Sequence, residues 1–166
     1  WVSTGGRFIM EFENKIAKYV GVDRAVSCQS GTAGLHLALR VLGVGHGDEV
    51  IVPTVTFIAA VNPVKYMGAE PIFMDCDDTL DMDMDKLEEF LEKECTYADG
   101  KVINNKTKKQ IKAIIVVHVF GNPANMERLI EIKEKYNLKV IEDSTEALGS
   151  YYLEGKYADK HCGTIG

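Results

Sequence analysis

Two short stretches carry residue types that can do chemistry. In Ser27-Cys28-Gln29-Ser30-Gly31-Thr32-Ala33-Gly34, a small-residue turn leads into a run whose apolar positions Leu35, Ala38, Leu39 and Leu42 fall at i, i+3, i+4 and i+7. The first amides of a helix have no intrahelical acceptor and point at whatever lies ahead. With the Ser30 and Thr32 hydroxyls they can cradle one phosphate group, or Ser30 can simply cap the helix's own donors. The turn is neither GxGxxG nor GxxxxGK[ST], so the fingerprints of a dinucleotide site and of a P-loop are missing. The second stretch is Asp143, which ends an apolar run and precedes Ser144-Thr145-Glu146. A carboxylate there can hold a protonated ring nitrogen or a metal, or cap the next turn.

Taken together with an aromatic side chain, Phe57, after a third apolar run, the set acquires one meaning. An anion clamp, a stacking face and a counter-charge for a heteroaromatic nitrogen are what pyridoxal phosphate requires, because its pyridinium works as an electron sink only beside an acid.

These groups must be placed by the elements around them. Ile9, Phe12, Ile16 and Tyr19 mark one helical face, ended by Gly21. The run Arg24 to Cys28, with the β-branched Val26 at its centre, is expected to be a strand feeding the turn and its helix. Glu49 to Pro53 reads as a short buried strand and Thr56 to Met67 as a helix, with a kink or break near Asn62 because Pro63 cannot continue the hydrogen-bond ladder. Glu70 to Met74 is the next strand. An acidic stretch, Asp75 to Asp85, leads to a helix with Leu87, Phe90 and Leu91 inward. Residues 96 to 110 read as a polar surface excursion. Ile111 to Val117 is the most strand-like run, Asn125 caps a helix through Tyr136 with Leu129, Ile132 and Tyr136 inward, and Lys139 to Glu142 is the last strand.

Strands apolar on both faces and alternating with helices predict an α/β fold with three α-β-α layers around a mostly parallel sheet. Ligands of such sheets sit beyond the carboxyl ends of the strands. Those ends are Cys28 to Thr32, Pro53 to Phe57, His118 to Gly121 and Glu142 to Glu146, and the chemistry is expected there.

Composition excludes several classes. A chain of 166 residues with 46% hydrophobic content is long enough for one domain with a real core. A net charge of −6 without a basic run argues against nucleic acid and anionic membranes as partners. No stretch has the length and apolarity of a membrane span, and Trp1 to Gly6 lacks a charged lead into an apolar segment, so a cytoplasmic protein is expected. Cys28, Cys76, Cys95 and Cys162 form no CxxC and read as reduced thiols. Asp81, Asp83, Asp85 and Glu92 match four positions of a calcium loop, but Lys86 stands where the sharp turn needs glycine. The stretch therefore reads as an Asp-rich helix start that suits the dipole, and no metal site is assigned. Asp48-Glu49 and Lys106 to Lys109 read as solvated surface.

SGTAGLHLALRVLGVGHGDEVIVPTVT from Ser30, VHVFGNPANM and VIEDSTEALGS closely resemble the DegT/DnrJ/EryC1/StrS family of sugar aminotransferases, in the family's order and spacing from Phe12 to the terminal glycines. The resemblance implies the large domain of a pyridoxal-phosphate-dependent transferase of the aspartate-aminotransferase fold. It places Ser30, Gly31, Thr32 and Ala33 at the cofactor phosphate, Phe57 on the ring face and Asp143 at the pyridine nitrogen. Glu146 falls near cofactor and substrate, where the family often has Gln or His. His118 ends the strand beneath the ring, as a cofactor contact or as a satisfied buried imidazole. The implied reaction moves an amino group from glutamate to a keto-sugar on a nucleoside diphosphate, in a homodimer whose site borrows partner residues. STEALGSYY and WVSTGGRF look like the branch that aminates a UDP-linked 4-keto-6-deoxy-N-acetylhexosamine on the way to nonulosonic acids such as legionaminic acid.

The chain departs from the family at one position that matters. The Schiff-base lysine belongs to a later motif, and none of the lysines here fits: Lys139 precedes a buried strand, while Lys156 and Lys160 lie in a polar loop. The chain thus reads as a partial cofactor domain, without the small domain, and inactive by itself. Such a piece is expected to leave a sheet edge open and to self-associate. Relatives with His at the lysine position look like sugar dehydratases, the alternative enzyme. A noncatalytic sugar-binding or regulatory module is the alternative of another class.

Overall fold

A computed structural model describes residues 6–166. Most of Trp1 to Gly6, and the start of the WVSTGGRF stretch, lie outside the described residues. In chain order the elements are α1 (Arg7–Val20), α2 (Gly31–Val41), β1 (Glu49–Pro53), α3 (Asn62–Tyr66), β2 (Glu70–Met74), α4 (Met84–Lys93), β3 (Cys95–Ala98), β4 (Lys101–Asn104), β5 (Gln110–Val117), α5 (Met126–Tyr136) and β6 (Lys139–Asp143).

One sheet organises them. β2, β1, β5 and β6 run parallel in that spatial order, with Ile51 opposite Ile72 and Ile114 opposite Val140. The ladder alternates side chains between two cores. Val50, Val52, Ala113, Ile115 and Val117 face α2 and α3, where Leu35, Leu39 and Val64 cover them. Ile51, Ile114 and Val116 face α4 and α5, meeting Leu87, Leu91, Leu129 and Ile132. Each fully buried aliphatic side chain of this kind contributes about 1.5–3 kcal/mol. Central strands buried on both faces explain their unbroken apolar runs, and the three-layer α-β-α arrangement follows.

Local chemistry sets the helix starts. Asn125 accepts from the Arg128 amide at 3.1 Å and Asp83 from the Asp85 and Lys86 amides at 3.0 Å, caps of about 1 kcal/mol each. Asp83 is thus a helix-start residue, as its place in the acidic run suggests.

Other elements depart in part from the sequence reading. Arg24 to Cys28 forms no strand and belongs to no ladder among the described residues; the Glu13 carboxylate instead takes the Ser27 amide and hydroxyl, each at 2.8 Å. Helix α1 forms and stops at Gly21, yet only Ala17 is buried, and Phe12 and Tyr19 are more than half exposed. The helix read over Thr56 to Met67 breaks near Asn62 as expected, into a 3-10 turn (Ile58–Ala60) and α3 separated at Val61, two residues before Pro63. The polar excursion is a β-hairpin: β3 and β4 are antiparallel around Asp99-Gly100, whose positive φ angles of 52° and 73° make the turn, and β4 pairs with the first residues of β5. Glu49 is not solvated surface but 2% exposed, accepting from the Asn104 side chain at 3.0 Å.

Candidate functional site

The four segments beyond the strand ends converge on one cleft of about 560 Å³. Gly31 and Thr32 come from the start of α2, Val55 to Phe57 from beyond β1, Val119 and Phe120 from beyond β5, and Asp143, Thr145 and Glu146 from the end of β6. The first of these is a helix start reached through irregular chain rather than the end of a paired strand, and its place in the cleft is nevertheless the expected one.

At the α2 terminus the two expected roles are divided between residues. The Ser30 hydroxyl accepts the Ala33 amide at 3.2 Å, and the Ser30 carbonyl accepts Gly34 at 3.1 Å. Ser30 and Ala33 therefore satisfy each other as an N-cap, outside the cleft lining. The amides of Gly31 and Thr32 have no acceptor among the described residues, and both residues line the cleft at the positive end of the helix.

Asp143 lines the same cleft. Its Oδ1 accepts both the amide (3.1 Å) and the hydroxyl (2.6 Å) of Thr145, which fixes the carboxylate and leaves Oδ2 for an incoming donor. Thr145 also closes on α2: a Cβ added to Gly31 would lie 3.7 Å from its hydroxyl. Phe57 lines the cleft wall and is 79% exposed, so its ring face is open to a ligand there.

His118 is placed differently. It is fully buried, does not line the cleft, and has both ring nitrogens engaged: Nδ1 accepts the Ala124 amide at 3.1 Å, so the Nε2 proton is the one given to Glu142 Oε2 at 3.0 Å. Glu142 also accepts the amides of Gly163 (2.9 Å), Ile165 (2.6 Å) and Gly166. Burial pushes the Glu142 carboxyl up, but the His118 bond and the Gly166 and Ile165 amides outweigh it and hold the group below the ordinary carboxylate range.

Two contributors went unread in the sequence. Asp81, 2% exposed, accepts the Val119 amide at 3.2 Å and the Asn122 side-chain amide at 2.8 Å, and burial pushes its carboxyl up. Phe120 has a left-handed backbone, φ 54° and ψ 23°, a conformation costing a bulky residue about 1–2 kcal/mol. Its amide donates to Glu146 Oε2 at 2.8 Å, and its ring lines the cleft at 76% exposure. The available signal was an aromatic followed by glycine at a strand end, His118-Val119-Phe120-Gly121. For Asp81 there was none beyond its membership of an acidic run.

A phosphate cradle, an aromatic wall and a fixed carboxylate with one free oxygen fit pyridoxal phosphate, the lysine apart: none lines the cleft. Among the described residues no three His, Cys, Asp or Glu side chains are grouped to hold a metal ion, and no helix is long and apolar enough to cross a membrane.

Residues 1–166 match the model of the DegT/DnrJ/EryC1/StrS aminotransferase family. GDP-perosamine synthase of Escherichia coli O157:H7 is 45% identical over 167 residues, 100% of this chain and 40% of that protein. The X-ray structure of DesV from S. venezuelae superposes with a TM-score of 0.77 at 34% identity, covering 89% of this chain and 36% of that one. That of ntda from Bacillus subtilis, solved with bound cofactor PMP, gives 0.76 at 32% identity, covering 94% and 32%. The chain thus spans about two fifths of the length of the synthase it matches.

Proposed function

Because this chain belongs to the DegT/DnrJ/EryC1/StrS aminotransferase family, we propose that it forms the cofactor-holding part of an enzyme that aminates a keto-sugar carried on a nucleoside diphosphate. The observation that supports this reading most is the convergence of Gly31, Thr32, Phe57 and Asp143 on one cleft from three separate segments. The cofactor is pyridoxal 5′-phosphate, which when bound supplies the electron sink for amino transfer.

The chain's own residues then have these roles. The Gly31 and Thr32 amides, with the Thr32 hydroxyl, hold the phosphate, while Ser30 and Ala33 keep the helix terminus in shape. Phe57 covers one ring face. Asp143 Oδ2 accepts the ring N–H, with Thr145 preventing the carboxylate from turning away. Glu146, which lines the same cleft, would lie near cofactor and substrate. His118 supports the site from below through Glu142 rather than by a free nitrogen.

The covalent amine is contributed from outside the cleft residues described here, so the chain by itself is inactive; glutamate is the donor and the working enzyme is a cytoplasmic homodimer. The name of the synthase relative joins its sugar to GDP, whereas the branch resemblance of STEALGSYY implies UDP and a 4-keto-6-deoxy-N-acetylhexosamine.

The test is an absorbance scan of the full-length gene product purified with pyridoxal phosphate, followed by borohydride reduction and peptide mapping. A band at the visible edge that reduction fixes to a lysine supports the aminotransferase. Cofactor that binds but is never reduced onto the protein makes it a dehydratase. No cofactor binding at all sinks the enzyme reading in favour of a sugar-binding module.

A further inference from the structure

Two large aromatic rings face the same cleft, and the cofactor reading uses only one of them. Gly31 and Thr32, Phe57 and Asp143 meet the needs of a phosphate, a ring face and a ring nitrogen. Phe120 and Glu146 remain, bonded to each other at 2.8 Å through the Phe120 amide.

The chain goes to unusual lengths to hold that ring there. Phe120 keeps a left-handed backbone that a phenylalanine does not adopt unaided, and strain of this kind persists only where the surroundings over-determine it. Here they do so from three directions. Asp81 grips Val119 and Asn122 on either side, Glu146 takes the Phe120 amide, and Ser150 donates to the Gly121 carbonyl at 2.9 Å. A side chain on Gly121 has no room, since its Cβ would meet the Glu146 carbonyl oxygen at 2.9 Å.

The chemistry of the pair selects its ligand. A carboxylate beside the ring repels a phosphate, and Glu146 Oε1, without a partner among the described residues, accepts hydroxyl protons. An aromatic face covers C–H groups. A ring that is apolar on its face and rich in hydroxyl donors at its edge is a sugar. Resting on the family reading of the cleft, we propose that Phe120 is a specificity-determining residue that packs against the sugar of the nucleotide-linked substrate, presented by the turn that Asp81 and Glu146 hold.

The test uses the full-length, cofactor-loaded protein and calorimetric titration with GDP-mannose against GDP, and with UDP-N-acetylglucosamine against UDP. Phe120→Asn keeps a residue that tolerates the left-handed backbone and removes the ring, while Phe120→Tyr keeps the ring. In the parent at least one sugar nucleotide binds more tightly than its nucleoside diphosphate. Phe120→Asn removes that advantage by about tenfold, the size of one aromatic contact, with binding of the nucleoside diphosphate and of pyridoxal phosphate unchanged, and Phe120→Tyr restores it. An equal loss for nucleoside diphosphate and sugar nucleotide, a loss of cofactor affinity instead, or a parent that gains nothing from the sugar overturns the proposal. Failure of the parent to bind pyridoxal phosphate overturns the aminotransferase reading and this proposal with it, whereas a cofactor-loaded parent whose sugar advantage survives Phe120→Asn overturns this proposal alone.

Discussion

His118 Nε2 stands 3.0 Å from Glu142 Oε2 with both side chains withdrawn from water, tying the strand that carries Asp143 to the turn behind the cleft. Glu142 also gathers three amides from Gly163 to Gly166, so one carboxylate joins two segments to β6. Its folded pKa is held below the ordinary carboxylate range, so its stabilisation is complete above that range and drains as pH falls through the lowered value. Glu142→Gln, which keeps the shape and removes the charge, is expected to cost about 1–3 kcal/mol at pH 7 in urea unfolding. The gap between parent and variant narrows as pH drops below about 4.3, where the unfolded carboxyl takes up its proton. A gap that stays constant down to pH 3 would show that the charge is not what matters.

Gly43 and Gly121 have nearly the same backbone, φ 74° and 80°, but different surroundings. A Cβ on Gly43 meets nothing within 4 Å, whereas one on Gly121 runs into the Glu146 carbonyl at 2.9 Å. Gly43→Ala should therefore cost only the left-handed strain, about 1 kcal/mol. Gly121→Ala adds a backbone clash and should cost about 2–3 kcal/mol. Thermal unfolding of both variants checks the order, and equal midpoints refute it.

What the sequence reveals about this fold is what short-range chemistry decides. The bounds of β1 and β2, the Asn125 cap and the inward Leu129, Ile132 and Tyr136 of α5 follow from patterns that each span a few residues. The cleft was legible too, because a parallel sheet forces its ligand chemistry to the strand ends. Pairings across the chain were not. Asp81 reaches Val119 over 38 residues and Glu142 reaches His118 over 24, and nothing in either local stretch distinguishes a buried acceptor from a solvated carboxylate. The hairpin of β3 and β4 had a local sign, Asp99-Gly100 with Val102 alternating against Lys101, but the lysines around residue 108 hid it. Arg24 to Cys28 errs the other way: Val26 is its one β-branched residue, and a ladder needs a neighbour that propensity cannot supply.

The thiols should react in an order set by burial. Cys28 is exposed, while Cys95 is buried and its thiol is pushed up to about 11 by that burial, with Glu49 and Glu94 adding to the effect. Burial likewise pushes up the Cys162 thiol. With a chromogenic disulfide reagent at pH 8, Cys28 is expected to react within seconds and Cys95 and Cys162 only at the rate of opening or on adding denaturant. Prompt labelling of Cys95, located by peptide mapping, would contradict the packing around β3.

Asn104 is the pin that holds the hairpin to the parallel sheet. Its side-chain amide donates to Glu49 at 3.0 Å, and its oxygen accepts the Lys106 amide at 3.0 Å, so it satisfies a buried carboxylate and the turn after β4 together. Asn104→Ala leaves Glu49, 2% exposed, without that donor, and should cost about 2–3 kcal/mol. Asn104→Asp sets two carboxylates against each other in the same space and should cost more, whereas Thr96→Ala on the exposed side of the same hairpin should fall within about 0.5 kcal/mol of the parent. Urea unfolding of the three variants decides it. If Asn104→Ala unfolds with Thr96→Ala, the hairpin is held by its backbone ladder alone, and the Asn104–Glu49 bond contributes nothing to the sheet.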